Sequence, residues 1–364
     1  MPQSTSVPAE GTKSSKAAPG KAPPSEVPGD SSQCPLDYRY APSDLNRPPQ
    51  WSAETVYVIG GLYGNPEALD AVLSMAEGER RRGCEVSLVF NGDFNWFNVD
   101  PHDYARINGE VLGHIAIAGN VEAELGREGE GGHCGCNYPA YVNPEIPERS
   151  DRIFRRLKDT ARRFPEIQRG LAGLPKYLTV GVGSHRIGIL HGDADSLSGW
   201  SLAVEALPPS REETSGALAG EDAASLTPLA EIERIFRDSG MNALAATHTC
   251  LPFAQDWTVD GETRLIINNG SAGMPNFRGR PEGVLTRISA LPSIPAGSLY
   301  GFAWGGVRYD ALPIAFDREA WRRRFLRDWA PGSPAHGSYF NRIDQGPAFM
   351  LEEAARGQVR LGTP

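Results

Sequence analysis

The sequence predicts an α/β fold in which two β-sheets pack face to face. From Thr55 onward, short apolar strands that end in Gly, Asn or Asp alternate with helices or loops. Later in the chain several strands follow one another without helices, which favours two packed sheets over a single doubly wound sheet. The first Gly-rich turn also lacks the G-x-G-x-x-G spacing, so a nicotinamide site is disfavoured.

The first predicted elements are the buried strand TVYVIGG (55–61) and a helix that opens with Pro66, PEALDAVLSMAEGERRRG (66–83). In a polar insert, ERSDRIFRRLKDTARRFPEIQRGL (148–171) is predicted as one amphipathic helix, and YLTVGVGSHRIGILHGD (177–193) as a hairpin that turns near 183–185. The remaining elements are apolar strands and one late helix: EVSLVFNGD (85–93), HIAIAGN (114–120), NALAATHT (242–249), TRLIINNGSAG (263–273), GVLTRISA (283–290), RYDALPIAF (308–316) and the helix DREAWRRRFLRDW (317–329).

Residues 1–50 are predicted to form a Pro/Ser/Ala-rich N-terminal tail and arm. A segment of this composition buries too little apolar surface to offset its ordering entropy, so at least residues 1–32 are expected to be disordered. The more aromatic stretch CPLDYRYAPSDL (34–45) is expected to lie against the domain. Residues 51–364 are predicted as one domain, with a helical insert near 123–178 and a C-terminal extension near 291–364.

Composition excludes some classes of function. A net charge of -9 argues against a broad surface for duplex nucleic acid. No apolar run approaches the roughly 18 to 20 residues that span a bilayer, and no signal-peptide core is visible, so we expect a cytoplasmic protein. Five cysteines, an odd number, argue against a disulfide framework and predict reduced thiols.

Four strand ends carry side chains of the metal-ligand type: Asp93, Asn120, His191 and His248. Each follows an apolar strand directly, so in one parallel or mixed sheet all four would face the same crevice. One carboxylate, one amide oxygen and two imidazoles form a plausible ligand set for Mn, Fe or Zn. Any one Asp or Asn in such a place is more often a helix cap or turn former, but four in series are hard to explain as caps.

The order of GGLYGN, NGDFNW, GNVE, LHGD, THTC and INNGSAG resembles the motif order of the calcineurin-like metallophosphoesterase superfamily, over about residues 55–290. The resemblance implies a four-layer α/β/β/α sandwich of two packed mixed sheets, with two metal ions between its loops. It implies that Asp93 bridges the metals, and that Asn120, His191 and His248 complete the second site and so carry the catalysis. It also implies a hydrolase acting on a small phosphorylated substrate.

The ligands of the first metal are missing from the matching positions. Gly61 stands where the family has Asp, Tyr63 where it has His, and Cys250 where it has the final His. Val121 replaces a His that many members use to assist the leaving group, while Glu122 keeps the acidic residue after it. One ion is therefore expected, and Tyr63 and Cys250 are candidates for holding a second.

Other residues are candidates for additional roles. The insert GGHCGCNYP places His133, Cys134 and Cys136 on a loop that could fold over the crevice, as a thiolate metal site, as reactive cysteines or as an ordinary tight loop. Asn65 either orients a bound phosphate or caps the following helix, and Asn95 is expected to line the pocket. Two functions stay open: a phosphodiesterase or phosphatase that uses a metal-activated water, or a non-hydrolytic metal- or ligand-binding descendant of the same fold.

Overall fold

The computed structural model describes residues 35–129, 132–140, 142–208 and 227–362, and the predicted disordered segment 1–32 lies outside them. The strands within these residues are β1 (Trp51–Ala53), β2 (Thr55–Ile59), β3 (Val86–Asn91), β4 (Ile115–Ile117), β5 (Tyr177–Val182), β6 (His185–Leu190), β7 (Ala243–Ala246), β8 (Phe253–Val259), β9 (Glu262–Asn268), β10 (Gly283–Ser289), β11 (Tyr300–Trp304), β12 (Val307–Ile314), β13 (Ala355–Arg356) and β14 (Arg360–Leu361). The α-helices are α1 (Pro66–Arg81), α2 (Pro101–Val111), α3 (Asn120–Gly126), α4 (Glu145–Ala161), α5 (Pro165–Ala172), α6 (Leu229–Ser239), α7 (Arg318–Asp328) and α8 (Pro334–Gln345).

Two seven-stranded mixed sheets form the fold, in the spatial orders β1-β5-β6-β7-β9-β8-β13 and β14-β11-β12-β10-β2-β3-β4. In the second sheet β2, β3 and β4 run parallel, and in the first sheet β6, β7 and β9 run parallel. The predicted fold class, an α/β sandwich of two packed mixed sheets with helices outside, is confirmed.

Alternating side chains explain how the sheets are covered. Val56 and Val58 of β2 pack into the core between the sheets, together with residues of β5, β6 and β7. Tyr57 and Ile59 point the other way and pack with α1, α2, α4, α7 and α8. Because β2 is buried on both faces, its sequence is continuously apolar.

The hairpin of β5 and β6 is confirmed, with Gly183 in the left-handed conformation at its turn. The prediction of one helix over 148–171 is wrong. The structure has two helices, α4 and α5, and the second begins at Pro165. A proline has no N–H to continue the helical hydrogen bonds and fits the first position of a new helix.

The N-terminal arm packs against the domain from Pro35 onward. Tyr38 is fully buried, and its hydroxyl donates to Glu124 Oε1 at 2.8 Å. Among the described residues, no helix is long and apolar enough to cross a membrane.

Candidate metal centre

The four predicted ligands lie together, but they come from two sheets instead of the one sheet that the sequence suggested. Asp93 follows β3 and Asn120 begins α3 after β4, whereas His191 follows β6 and His248 follows β7. Asp93, His191 and His248 are buried, and each offers a ligand atom within 4.8 Å of the other two. The carboxyl ends of parallel strands from both sheets therefore meet at one crevice.

Hydrogen bonds fix the orientation of His191. Its Nδ1 lies 2.8 Å from the carbonyl oxygen of Asn91, and because a carbonyl only accepts, Nδ1 must donate. In the neutral ring Nε2 then keeps its lone pair. This nitrogen lies 3.1 Å from Asn120 Oδ1 and 3.4 Å from Asp93 Oδ1, so it faces two oxygens that are themselves acceptors.

His248 and Asn120 are oriented by two carbonyls of the 133–136 loop. Nε2 of His248 lies 3.0 Å from the Cys136 carbonyl and must donate to it, which leaves Nδ1 as an acceptor 3.3 Å from His191 Nε2. Asn120 Nδ2 donates to the Cys134 carbonyl at 2.7 Å, so its Oδ1 points to His191. Carbonyl partners of this kind fix the tautomer and orientation of metal-binding side chains.

These donors fit a divalent transition metal. Lone pairs on two imidazoles, an amide oxygen and a carboxylate converge in a buried space, where only a cation between them relieves their repulsion. Asp93 Oδ1 is buried and has no well-formed hydrogen bond among the described residues, and it lies 3.4 Å from Nε2 of His191. Two nitrogen and two oxygen ligands suit Mn, Fe or Zn.

Electrostatics favour the metal-binding forms of Asp93 and His248 but not that of His191. Burial raises the pKa of Asp93, but the charge and hydrogen bonding of His191, with smaller contributions from His248 and Val121, together outweigh burial, so the net pKa lies below the usual value. Burial lowers the pKa of His191, and Asp93 reverses this so that the net pKa is raised. Burial, followed by the charge of His191, lowers the pKa of His248 to about 4. A proton and a metal ion therefore compete for Nε2 of His191, while His248 stays neutral.

Glu122 stabilises the loop that carries Asp93 through hydrogen bonds to its backbone. Its carboxylate accepts hydrogen bonds from the backbone N–H groups of Asp93 at 2.7 Å, Asn95 at 3.1 Å and Gly119 at 3.1 Å. Burial, and then the charge of Asp93, raises the pKa of Glu122 to about 7. Asp93 has a φ of 53°, in the region that L-residues rarely occupy, so these bonds hold it in a strained conformation.

The positions of the missing ligands are filled by side chains. The Tyr63 hydroxyl contacts Cys250 Sγ, and a Cβ built on Gly61 would lie only 2.9 Å from Cδ2 of the Tyr63 ring. Burial raises the pKa of Tyr63 well above its usual value, and it raises that of Cys250 to about 11 although the charge of Arg342 opposes it. A neutral phenol–thiol pair therefore occupies this place.

The 133–136 loop folds over the crevice, but its cysteines face each other. Cys134 and Cys136 are joined in a disulfide, so the prediction of reduced thiols is wrong for this pair. Nδ1 of His133 accepts from the N–H of Gly135. The loop reaches the candidate ligands through its carbonyls instead of through thiolates.

Asn65 and Asn95 have structural partners. Asn65 Oδ1 accepts from the N–H of Ala68 and caps α1, and its Nδ2 donates to the Gly273 carbonyl at 3.0 Å. Asn95 is fully buried behind Asp93, where its Nδ2 lies 3.0 Å from Asn108 Oδ1. Neither side chain lines the cavity.

A cavity of about 150 Å³ opens beside Asp93 and His248. Its wall includes Val121 and five aromatic side chains: Tyr63, Trp96, Tyr138, Trp200 and Tyr339. It also includes Arg342, on α8 of the C-terminal extension, which the sequence analysis did not single out. Arg342 lies in no recognisable motif, and only the packing of α8 brings it to the crevice.

Comparisons with known proteins support the fold. No family model and no curated protein matches the chain. A hypothetical protein, PH1004, from Pyrococcus horikoshii OT3 has a TM-score of 0.51 at 16% identity, covering 81% of this chain and 99% of that one. A metallophosphoesterase from Sphaerobacter thermophilus has a TM-score of 0.46 at 16% identity, covering 80% and 100%. Yfce, a phosphoesterase from E. coli, has a TM-score of 0.30 at 14% identity, covering 65% and 91%. At these identities the likeness concerns the fold alone, and only the first of the three has a TM-score above 0.5.

Proposed function

We propose that the protein is a metal-dependent phosphoester hydrolase, a phosphatase or phosphodiesterase, with one divalent ion held by Asp93, Asn120, His191 and His248. One observation carries the proposal. Four donor atoms converge in a buried space, and the other polar atom of His191, His248 and Asn120 is fixed by a backbone carbonyl. Fixing the second polar atom of each side chain is what orients ligands toward a bound metal ion.

When bound, a divalent ion at these residues supplies a Lewis acid for a phosphoryl oxygen and a water of lowered pKa. The chain's own groups prepare the place for it. Glu122 holds Asp93 with its oxygen toward His191, and the loop carbonyls hold His248 and Asn120 in the correct orientation. Trp96 and Trp200 narrow the cavity and limit the entry of water.

A small substrate fits the surroundings of the site. The cavity of about 150 Å³ accommodates a phosphoryl group and a short substituent, and its aromatic wall offers apolar contact to that substituent. The net charge of -9 does not favour a duplex nucleic acid. We therefore propose a small phosphorylated metabolite as the partner of the site.

Metal content and hydrolysis test the proposal together. Protein purified without added metal, and again after loading with Mn, Fe or Zn, would be compared with His191→Ala by elemental analysis and on p-nitrophenyl phosphate and bis-p-nitrophenyl phosphate. We expect one ion per chain, lost in the variant together with hydrolysis. Full metal occupancy without activity on a broad phosphoester panel would refute the hydrolase.

The alternative is a metal- or ligand-binding descendant that does not hydrolyse esters, and the Tyr63–Cys250 contact is the observation behind it. The variant Gly61→Asp/Tyr63→His/Cys250→His tests it. The three changes must be made together, because an Asp at position 61 collides with the Tyr63 ring. If only the triple variant hydrolyses phosphodiesters, the alternative gains support. If the native protein hydrolyses phosphodiesters as fast as the triple variant does, the alternative is refuted.

A further inference from the structure

We propose that Arg342 binds the phosphoryl group of the substrate and supplies a fixed positive charge in the cavity that Asp93 and His248 also line. This inference rests on the proposed function and names a residue for it, in a helix outside the motifs that predicted the site. It assigns the cavity to an anion that is held between a metal ion and a guanidinium group.

The position of Arg342 is set by two backbone carbonyls. Its Nη2 donates to the Cys250 carbonyl at 2.7 Å, and its Nε donates to the Pro275 carbonyl at 3.3 Å. Cys250 lies two residues after His248, so the first bond ties the guanidinium to the segment that carries a candidate ligand. Arg342, His248 and Asp93 line the same cavity.

The charge of Arg342 is not neutralised by a carboxylate. Within the described residues, no Asp or Glu lies within ion-pair distance of it, whereas its neighbours Arg318 and Arg322 on α7 both pair with Asp344. Its two carbonyl bonds use two of the five N–H groups of a guanidinium. The three that remain can donate to an anion.

Two buried side chains lie in the same cavity lining as Arg342. The phenol of Tyr63 and the thiol of Cys250 are in contact with each other there. Tyr339, one helical turn before Arg342, lines the same cavity, so α8 presents both residues on one face. The lining of the cavity thus includes the Asp93 carboxylate, the His248 imidazole and the Arg342 guanidinium.

A phosphoryl group matches this arrangement. In a two-metal site a second ion stabilises the oxygens that the first does not reach, and a fixed guanidinium can supply part of the same charge. Arginine presents a planar fork of donors to phosphate oxygens, which lysine lacks. In a cavity of about 150 Å³, an anion bound to an ion at Asp93 and His248 would also be close to Arg342, which lines the same space.

Binding of inorganic phosphate to the Mn²⁺-loaded full chain tests the inference by isothermal titration. The variants are Arg342→Gln and Arg342→Lys, with Arg323→Gln as a matched control, since Arg323 is exposed on α7 and does not line the cavity. We expect Arg342→Gln to weaken phosphate binding about tenfold or more, from the loss of charge-assisted hydrogen bonds. Arg342→Lys should fall between native and Gln, and Mn²⁺ affinity should change in none of them.

Equal phosphate affinity in native protein and Arg342→Gln, at equal Mn²⁺ occupancy, would overturn the inference. If Arg342→Gln does not fold, as judged by its melting curve, Arg342→Lys decides, and native phosphate affinity in that variant counts against the proposal. If Mn²⁺ does not bind, phosphate is titrated into metal-free protein. Weaker phosphate binding in Arg342→Gln than in the native protein then supports the inference, and equal binding overturns it.

The outcomes separate this inference from the hydrolase. Phosphate binding that depends on Arg342, in a Mn²⁺-loaded protein that cleaves no ester, would support the anion site and refute the hydrolase. If the native protein hydrolyses esters and Arg342→Gln binds phosphate with native affinity, the hydrolase is supported and the anion site at Arg342 is refuted.

Discussion

Replacing Gly119 with alanine tests whether Asp93 is a metal ligand in the conformation seen here. Gly119 lies between β4 and α3, and a Cβ on it would come within 2.6 Å of the backbone nitrogen of Asp93, 2.9 Å of Glu122 Oε2, and closer still to Asp93 Oδ1. Its φ of -86° and ψ of 175° suit alanine, so the effect of the substitution is purely steric.

The magnitude follows from the overlap. Ordinary van der Waals contact begins at 3.4 Å, so Asp93 must move by at least about 0.8 Å. Metal–ligand distances tolerate only about 0.2 Å of change. We therefore expect Mn²⁺ affinity to fall about 10- to 100-fold, or about 1.4 to 2.7 kcal/mol. Overpacking should also lower the free energy of unfolding by about 1 to 3 kcal/mol.

Mn²⁺ binding would be followed by isothermal titration, with urea unfolding of the metal-free protein alongside. Gly109→Ala in α2 is the matched control, because a Cβ there would meet nothing within 4 Å. This control should keep native Mn²⁺ affinity and gain about 0.5 to 1 kcal/mol of stability from the better helix former. Native Mn²⁺ affinity in a folded Gly119→Ala protein would refute the role of Asp93 as a ligand in this geometry.

Three further predictions concern other parts of the fold. Arg287→Met should lower the free energy of unfolding, measured in urea, by about 3 to 5 kcal/mol, because it leaves Glu79 charged and buried. The double variant Arg287→Met/Glu79→Leu should recover most of that loss. Equal stability of the single and double variants would contradict the reasoning. Gly61→Asp should lower the melting temperature in calorimetry, because the new side chain clashes with the Tyr63 ring. The double variant Gly61→Asp/Tyr63→His should recover the native melting temperature. If the double variant melts at the same temperature as Gly61→Asp, the clash is not the cause. Burial lowers the pKa of His185 in the folded protein, so the unfolded chain binds more protons below pH 6.5 and the free energy of unfolding falls on acidification. In His185→Gln this fall between pH 7.5 and 5 should be shallower. An unchanged dependence of the free energy of unfolding on pH would exclude His185 as its source.

The sequence predicted the parts of the site that depend on strand ends. Asp93 and His191 each follow an apolar strand at once, and the polarity of a sheet decides where such residues gather. The meeting of two sheets could not be foreseen from any one strand, because it depends on which strands pair. The bonds from His248 and Asn120 to the carbonyls of the 133–136 loop were equally hidden, because every residue has a carbonyl and the sequence gives no sign of which ones turn inward.

Gly61, Tyr63 and Cys250 are best treated as one packed unit together with Arg342. Gly61 has no side chain and so leaves room for the Tyr63 ring, whose hydroxyl contacts Cys250. Cys250 has a φ of 60°, and its carbonyl accepts the hydrogen bond that holds Arg342 in the cavity wall. Because each residue positions the next, substitutions among them should be non-additive. The sequence does not reveal this arrangement, because Arg342 comes from a helix about 90 residues further along the chain.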